Sequence, residues 1–353
     1  MSEPARKAKL AFIGCGAHAN YSLYPSIPQL ETFIDLVAVC DLQQQLAEHV
    51  AQMYGVQRWY TDMDAMLDKE NLEGVVVVGP PQMHVEVGSR VLQRGLPIFV
   101  EKPSAINVEE AVKLAQLADE HNTFGMVAFM KRFAVGYHMA KHLVEQPGFG
   151  GVQVIDAKFT QGPYPPIWGI ESPALSFLTG QVIHIFDLVR HFGGDVGQVY
   201  STYREVTPTQ FGFLINLVFR NGAIGMLNLN SLEAHSGFRD MAERMAMAGL
   251  ENWVQVEDML YLTYQPKNDW LEVPGLDIGR LHHTWRPTGP AARKTDELIG
   301  YRGELAHFAE CVVSGQRPTP DLWDGAAALQ LTEAVWQSAR TGDVVLIPTI
   351  RPT

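Results

Sequence analysis

A lysine and a histidine carry the strongest chemical signals in this sequence. Lys102 lies in the stretch Pro97 to Pro103, PIFVEKP, where Ile98, Phe99 and Val100 have the character of a buried parallel strand that stops abruptly at Glu101, Lys102 and Pro103. A charged pair at the carboxyl end of a buried strand is badly placed for stability and well placed for chemistry, because ligands of open α/β sheets bind in the crevice outside those ends. Pro103 removes a backbone donor and biases Lys102 away from the helical region, so the chain turns there and holds the ammonium at the rim. The plain alternative is a surface salt bridge from Lys102 to Glu101. His184 occurs in QVIHIFD, residues 181–187, with Asp187 three positions on and hence on the same face of an otherwise apolar helix. An imidazole beside a carboxylate can serve as general base, although such a pair taken alone is more often a satisfied core network. It gains meaning with Lys102 opposite it.

A second cluster is Gly14-Cys15-Gly16-Ala17-His18-Ala19, which follows a strand and matches GxGxxG/A. Gly14 allows the tight turn, Gly16 lets backbone approach a pyrophosphate, and Ala19 permits close helix packing, with Ala17 and His18 inside the loop. Asp41 ends the second strand, where an acid can accept hydrogen bonds from an adenosine ribose and repel a 2′-phosphate. Leu42 and Gln43 follow it and provide no cation for that phosphate, so NAD is expected rather than NADP. A lysine beside a positively charged nicotinamide holds its proton less tightly, which would let Lys102 polarise a substrate oxygen or join in proton transfer. In GPPQMH, residues 79–84, Pro80 and Pro81 stiffen a loop able to lie along the cofactor, and His84 falls in the first turn of the next helix. A helix-terminal or core histidine is an equally good reading of His84.

These residues need a frame. Residues 9–127 alternate short β-rich runs with helical stretches, the pattern of a parallel sheet covered on both faces. Strands are expected at Leu10–Ile13, Leu36–Cys40, Arg58–Tyr60, Val75–Val78, Ile98–Val100 and Phe124–Ala128, with helices at Leu42–Tyr54, Asp62–Leu67, Met83–Arg94 and Val108–His121. Asn107 is the expected N-cap of the last. Pro25 and Pro28 predict a short or broken helix in the first crossover. From about residue 150 the runs lengthen and alternate, with Arg220-Asn221-Gly222 as the clearest hairpin signal, which predicts a large, mostly antiparallel sheet. One face should be covered by helices at Val182–Phe192, Leu305–Ser314 and Trp323–Ala339, leaving the other open to become a subunit interface. Residues 265–300 read as irregular. The fold class is therefore α/β, with residues 1–128 as a dinucleotide-binding domain and 129–353 as an α+β domain for substrate binding and oligomerisation.

A chain of 353 residues fits about two domains at the usual size of roughly 100–200 residues each. A net charge of −12 argues against a nucleic-acid surface. Cys15, Cys40 and Cys311 have neither a disulfide framework nor metal-ligand spacing, so no metal is expected. No apolar signal core and no span of roughly 18 apolar residues is visible, which predicts a cytoplasmic protein without membrane contact.

Taken together, GCGAHA, LVAVCD, GPPQMH, VEKP, HIFDLVRHFGG, GELAHF and SARTGDVV resemble, in order along nearly the whole chain, the glucose-fructose oxidoreductase, inositol dehydrogenase and MocA family of NAD(P)-dependent oxidoreductases. The resemblance implies an N-terminal Rossmann domain followed by an α/β domain with a large open sheet, often used for dimers or tetramers. It implies that Gly14, Gly16 and Asp41 bind the dinucleotide, with Pro80 and the Glu101-Lys102 turn near the nicotinamide, and that Lys102 and His184 are the catalytic pair. The family commonly has an aspartate four residues before that histidine, where this sequence has Gly180; Asp187, Glu171 or Gln181 are candidate substitutes. On the substrate side, Tyr164 and Trp168 could pack on a sugar ring, and Lys131 and Arg132 could reach a substrate oxygen or carboxylate. The expected function is hydride transfer between NAD and a sugar, cyclitol or related polyol. An NAD-dependent glycosidase with a transient redox step and a cofactor-binding regulator without turnover are the alternatives.

Overall fold

Short apolar strands build the first sheet: β1 (Ala8–Ile13), β2 (Ile34–Cys40), β3 (Arg58–Tyr60), β4 (Gly74–Val77), β5 (Ile98–Val100) and β6 (Gly125–Val127). The structure, a computed structural model, describes residues 6–235, 240–268, 270–273, 276–288 and 298–351. All adjacent pairs of this sheet are parallel, in the order β3-β2-β1-β4-β5-β6. Phe12, Val76, Phe99 and Val100 are wholly buried, which is why these strands read as continuous apolar runs. Strand order reverses between β1 and β4, and the crevice of such a sheet opens at the carboxyl ends of that pair. The helices α1 (Gln44–Tyr54), α2 (Met63–Lys69), α3 (Pro81–Leu92) and α4 (Val108–Glu120) lie close to their expected positions. Asn107 caps α4, its side chain accepting the Glu110 N–H at 2.9 Å. The first crossover is broken as its prolines demand, into a π-helical turn, Ala19–Leu23, and a 3-10 segment, Tyr24–Leu30.

The second sheet contains β7 (Val154–Gln161), β8 (Val196–Thr207), β9 (Gln210–Phe219), β10 (Ile224–Asn230), β11 (Met241–Ala248), β12 (Trp253–Glu257) and β13 (Tyr261–Gln265). With β16 (His283–Trp285) and β17 (Val345–Leu346) at its edges, its order is β16-β13-β12-β11-β7-β10-β9-β8-β17. Every pair is antiparallel except β7 with β10. Gly222 takes φ +92° in the β9–β10 hairpin, and the Asn221 side chain accepts the Ala223 N–H at 3.0 Å. Alternation along β9 and β10 buries Phe213, Ile215, Leu217 and Leu227 and exposes Leu214, Val218, Ile224 and Met226 on the opposite face. Helices α5 (Val135–Val144), α6 (Pro173–Phe177) and α7 (Ile183–Gly193) pack in this region, where Phe177 meets both Phe159 and Phe211.

By proximity of the backbone, residues 1–130 with 300–329 form one compact unit and 131–299 with 330–353 form the other. Two expectations need correction. The helix α8 (Tyr301–Ser314) covers the first sheet, not the second: Phe308 packs edge-on to Phe99, and a Cβ on Gly74 of β4 would meet Leu10, Phe308 and Val312. Periodicity marks an apolar face without naming the surface it meets. Residues 265–300 are also not uniformly irregular, since β14 (Trp270–Val273) and β15 (Leu276–Arg280) pair as a hairpin ahead of β16; residues 289–297 lie outside the described ones. Of the last helix, α9 (Leu322–Thr341), the carboxyl-terminal part serves the second sheet, with Trp336 against Tyr203 and Phe213 and the Ser338 hydroxyl accepting the Ser201 N–H.

Candidate functional site

In the first unit the glycine loop is fixed by the strands on either side of it. The Gly14 N–H donates to the Cys40 carbonyl at 2.8 Å, and Gly14 takes φ +110°. A Cβ there would lie 1.9 Å from the Val78 carbonyl oxygen, so only glycine fits. Gly16 is the opposite case, since nothing lies within 4 Å of where its Cβ would be and a ligand can approach its backbone. Asp41 joins this loop: Oδ2 accepts the Cys15 N–H at 2.8 Å, and Oδ1 accepts the Gln43 N–H at 2.9 Å. Its carboxylate is partly exposed, with lone pairs left for a further donor. Cys15 itself is buried against the Tyr24 hydroxyl, and burial pushes its thiol up to about 11, which makes it packing and not a nucleophile. Ala17 and His18 are exposed at the start of the following helix, and Pro80 is exposed at the end of the loop after β4. A tight glycine turn, an open backbone approach and an acid pinned beside it fit the pyrophosphate and ribose of a dinucleotide.

The turn after β5 is tied to the same loop. Glu101 is buried; its Oε1 lies 2.9 Å from His18 Nε2, and Oε2 accepts the Lys102 N–H at 3.1 Å. Burial pushes the Glu101 carboxyl up, but the His18 ring, Lys102 and His84 outweigh it and hold the carboxyl below the usual range. Lys102 is partly exposed beside it. His84, expected as a cofactor contact, is wholly buried: Nδ1 lies 2.9 Å from the Pro103 carbonyl, while Nε2 accepts the Gly79 N–H at 3.3 Å. That pairing puts the proton on Nδ1. His84 therefore stitches the loop after β4 to the Lys102 turn from behind.

In the second unit, Arg132 and Asp187 turn on each other instead of facing outward. The guanidinium donates to both carboxylate oxygens, Nε at 2.8 Å and Nη2 at 2.5 Å, and the pair is nearly enclosed, at 8% and 1% exposure. Asp187, three positions on from His184, accepts with both its oxygens from Arg132, a residue 55 positions away. Lys131 is likewise buried, paired to Glu243, whose other oxygen accepts the Tyr137 hydroxyl at 2.9 Å. His184 sits at the start of α7, immediately after a π-helical turn at Leu178–Val182, and is 7% exposed.

The loop at residues 162–171 closes over that turn. Tyr164 is buried edge-on to Phe177, and burial pushes its phenol well up, so it stays a neutral donor. Trp168 has φ +55°, a left-handed conformation that a bulky residue seldom adopts. A Cβ on Gly180 would lie 2.6 Å from the Tyr164 hydroxyl and 2.7 Å from Ile167 Cδ1, with the Trp168 ring 3.5 Å away. Gly180 thus makes room for the loop: the space an aspartate would need is taken by a phenol. Gly180 and Tyr164 carry no signal in the sequence that joins them. Glu304 is marked there only as an acid on the apolar stripe of Tyr301, Leu305 and Phe308.

Among the described residues, no group of three or more His, Cys, Asp or Glu could hold a metal ion, and no helix is long and apolar enough to cross a membrane. Residues 8–129 match the model of a family described as an oxidoreductase family with an NAD-binding Rossmann fold. The sequence is 26% identical over 358 residues, 95% of each chain, to scyllo-inositol 2-dehydrogenase (NAD(+)) of Bacillus subtilis strain 168. A solved dehydrogenase from Chromobacterium violaceum matches with a TM-score of 0.84 at 24% identity, covering 95% of this chain and 96% of that one. Levoglucosan dehydrogenase, in a complex with NADH and L-sorbose, matches at 0.81 and 20% identity, covering 98% of this chain and 100% of its own. The likeness to both structures is one of fold.

Proposed function

We propose that the chain is a member of the glucose-fructose oxidoreductase, inositol dehydrogenase and MocA family of NAD(P)-dependent oxidoreductases and an NAD-dependent dehydrogenase of a sugar, cyclitol or related polyol. The observation that supports this reading is the joining of Asp41 to the glycine loop through the Cys15 N–H at 2.8 Å, since a carboxylate held beside such a loop would accept from a ribose diol and repel a 2′-phosphate. Gly14, Gly16, Ala17 and His18 line the dinucleotide, Pro80 lies along it, and Glu101 anchors Lys102 beside it. Bound there, the nicotinamide supplies a hydride acceptor. His184 takes the proton of the substrate hydroxyl, and Lys102 stabilises the oxygen as it becomes an alkoxide. Tyr164 offers its phenol in the place of the carboxylate that Gly180 lacks, and Trp168 presents an apolar ring to the sugar face. Arg132 and Asp187 hold α7 in place and so aim His184. The relative named for scyllo-inositol supports a cyclitol or sugar as the substrate class.

The test is NADH formation over a panel of sugars, inositols and sugar acids, repeated with NADP and with Lys102→Ala and His184→Ala. On a substrate the parent oxidises, each variant should lose about 100- to 10,000-fold in kcat/KM. Full activity in both would end the assignment, and turnover of a glycoside without NADH release would move it to the glycosidase reading. We further place a second copy of the chain on the open sheet face bearing Leu214, Val218, Ile224 and Met226, as a homodimer or a homotetramer. Met226→Lys should shift the mass in solution towards monomer.

A further inference from the structure

The helix α8 carries a carboxyl that the proposed reaction does not use. Glu304 is wholly buried, and among the described residues neither of its oxygens has a hydrogen-bond partner. It sits in the first turn of the helix, its N–H donating to the Gly300 carbonyl at 3.0 Å, and the preceding turn sets Tyr301 edge-on to the His18 ring at 6.3 Å. The charged and titratable groups on the segments packed around α8 are Lys9 of β1, Tyr21 of the π-helical turn and Tyr24 of the 3-10 segment, with His18 and Cys15 of the glycine loop and Glu101 and Lys102 after β5. Of these, Glu101 and Lys102 act on Glu304.

The donors at this spot are already committed. The His18 ring and the Lys102 N–H serve Glu101, which is therefore the ionised member. An ionised carboxylate with no donor, enclosed beside another carboxylate, would be strongly destabilised, and a buried group in that position keeps its proton instead. Resting on the reading of the Lys102 turn as part of a dinucleotide site, we infer that Glu304 is a neutral carboxylic acid whose missing charge leaves Glu101 the one ionised carboxylate at this spot and thereby keeps the Glu101–His18 contact, the anchor of Lys102, closed. Burial, followed by the Glu101 charge, pushes the Glu304 carboxyl well up, against a smaller opposing pull from Lys102. Loss of its proton leaves two buried carboxylates with donors for one, a load relieved by opening the turn to water. Glu304 is thus a positioning residue, and its protonation is linked to dinucleotide binding.

Three readouts on the full chain, with Glu304→Gln and Glu304→Ala, test this. An infrared carbonyl band of a protonated carboxylic acid should be present in the parent near neutral pH and missing from Glu304→Gln; no such difference overturns the inference. Native Glu304 binds a proton that the unfolded chain gives up above about pH 4.3, so the parent loses stability as pH rises towards the native value while glutamine does not. The unfolding midpoint of Glu304→Gln minus that of the parent should therefore grow from about pH 5 to about pH 9; a flat or shrinking difference contradicts it. Finally, NADH affinity, followed by protein fluorescence, should fall on the alkaline side for the parent, hold for Glu304→Gln, and be weakened about tenfold at every pH for Glu304→Ala. A parent profile shared by Glu304→Gln counts against the positioning role. Should no dinucleotide bind to any of the three proteins, the cofactor reading fails, and the infrared and stability measurements still decide the state of Glu304.

Discussion

Buried charge is handled differently in the two units. In the second, among the described residues, each buried cation has its own carboxylate: Arg132 holds Asp187 through both oxygens, and Lys131 holds Glu243, to which the Tyr137 hydroxyl also donates. In the first, Glu101 relies on a ring that is 42% exposed and on one backbone N–H, while Glu304 has no donor among the described residues. A matched pair fixes the position of a helix, whereas an under-matched group keeps the ability to change its proton count. The glycines divide the same way. Gly14 yields to a backbone carbonyl that cannot move, and Gly180 yields to the side chains of a loop that can.

The largest expected effect falls on the matched pair. Arg132→Ala strands the Asp187 carboxylate, and denaturant unfolding should register a loss of about 3–5 kcal/mol. Replacing both partners by apolar residues, Arg132→Met with Asp187→Leu, should recover most of it. If the single variant loses less than the double, the pair is not scaffold and the contrast with Glu101 and Glu304 collapses. Next comes Gly14→Ala. Its methyl group meets the Val78 carbonyl at 1.9 Å with φ held at +110°, so a loss of about 3 kcal/mol is expected, together with loss of dinucleotide binding in a fluorescence titration.

The same contrast explains what was legible in the sequence. The first sheet was readable because its strands are buried on both faces and appear as short apolar runs, and Gly14 and Asp41 were readable because a phosphate turn demands those types at that spacing. The alternating strands β8–β10 were equally plain, since one face is buried and one is not. What was hidden depended on partners distant in sequence. The i, i+3 spacing put Asp187 on the face of His184 but gave no sign that a guanidinium 55 residues earlier would hold both carboxylate oxygens. The apolar stripe of α8 was visible, but not the sheet it would cover, and so Glu304 could not be placed next to Glu101. The helix–loop contact of Gly180 and Tyr164 has no local signature at all.

Gly180→Asp sharpens the comparison between the glycines. The added side chain must push aside the Tyr164 hydroxyl at 2.6 Å and Ile167 at 2.7 Å. These are side-chain atoms and not backbone, so the loss should be about 2 kcal/mol, smaller than at Gly14, with a rise in substrate KM as the loop lifts. Combining it with Tyr164→Ala should recover about 1 kcal/mol by opening that space, which a double-mutant cycle in urea would measure. A fully stable Gly180→Asp with improved turnover would instead mean that the phenol is a poor stand-in for the carboxylate.

The smallest effect separates a buried histidine, His84, from a half-buried one, His191. Burial pushes the His84 ring down, but the Pro103 carbonyl and the Glu101 charge pull the other way. Burial also pushes His191 down, to about 2, and there Arg132, Lys141 and His138 add to it. Both rings are therefore neutral in the native chain at a pH where the unfolded chain binds the proton. The stability each contributes is fully present above the unfolded value of about 6.5 and is lost as pH falls below it towards the native value, at up to about 1.4 kcal/mol per pH unit. His191→Asn should thus gain about 1.4 kcal/mol on the parent between about pH 8 and about pH 5.5, read from urea midpoints at the two pH values. His84→Asn should gain less, because a nearby carboxylate softens its penalty, and it should also lose a constant amount of about 1 kcal/mol at both pH values for the missing Gly79 contact. Equal gains for the two would mean that Glu101 exerts no field on its surroundings, and the contrast between an under-matched first unit and a matched second one would lose its electrostatic basis.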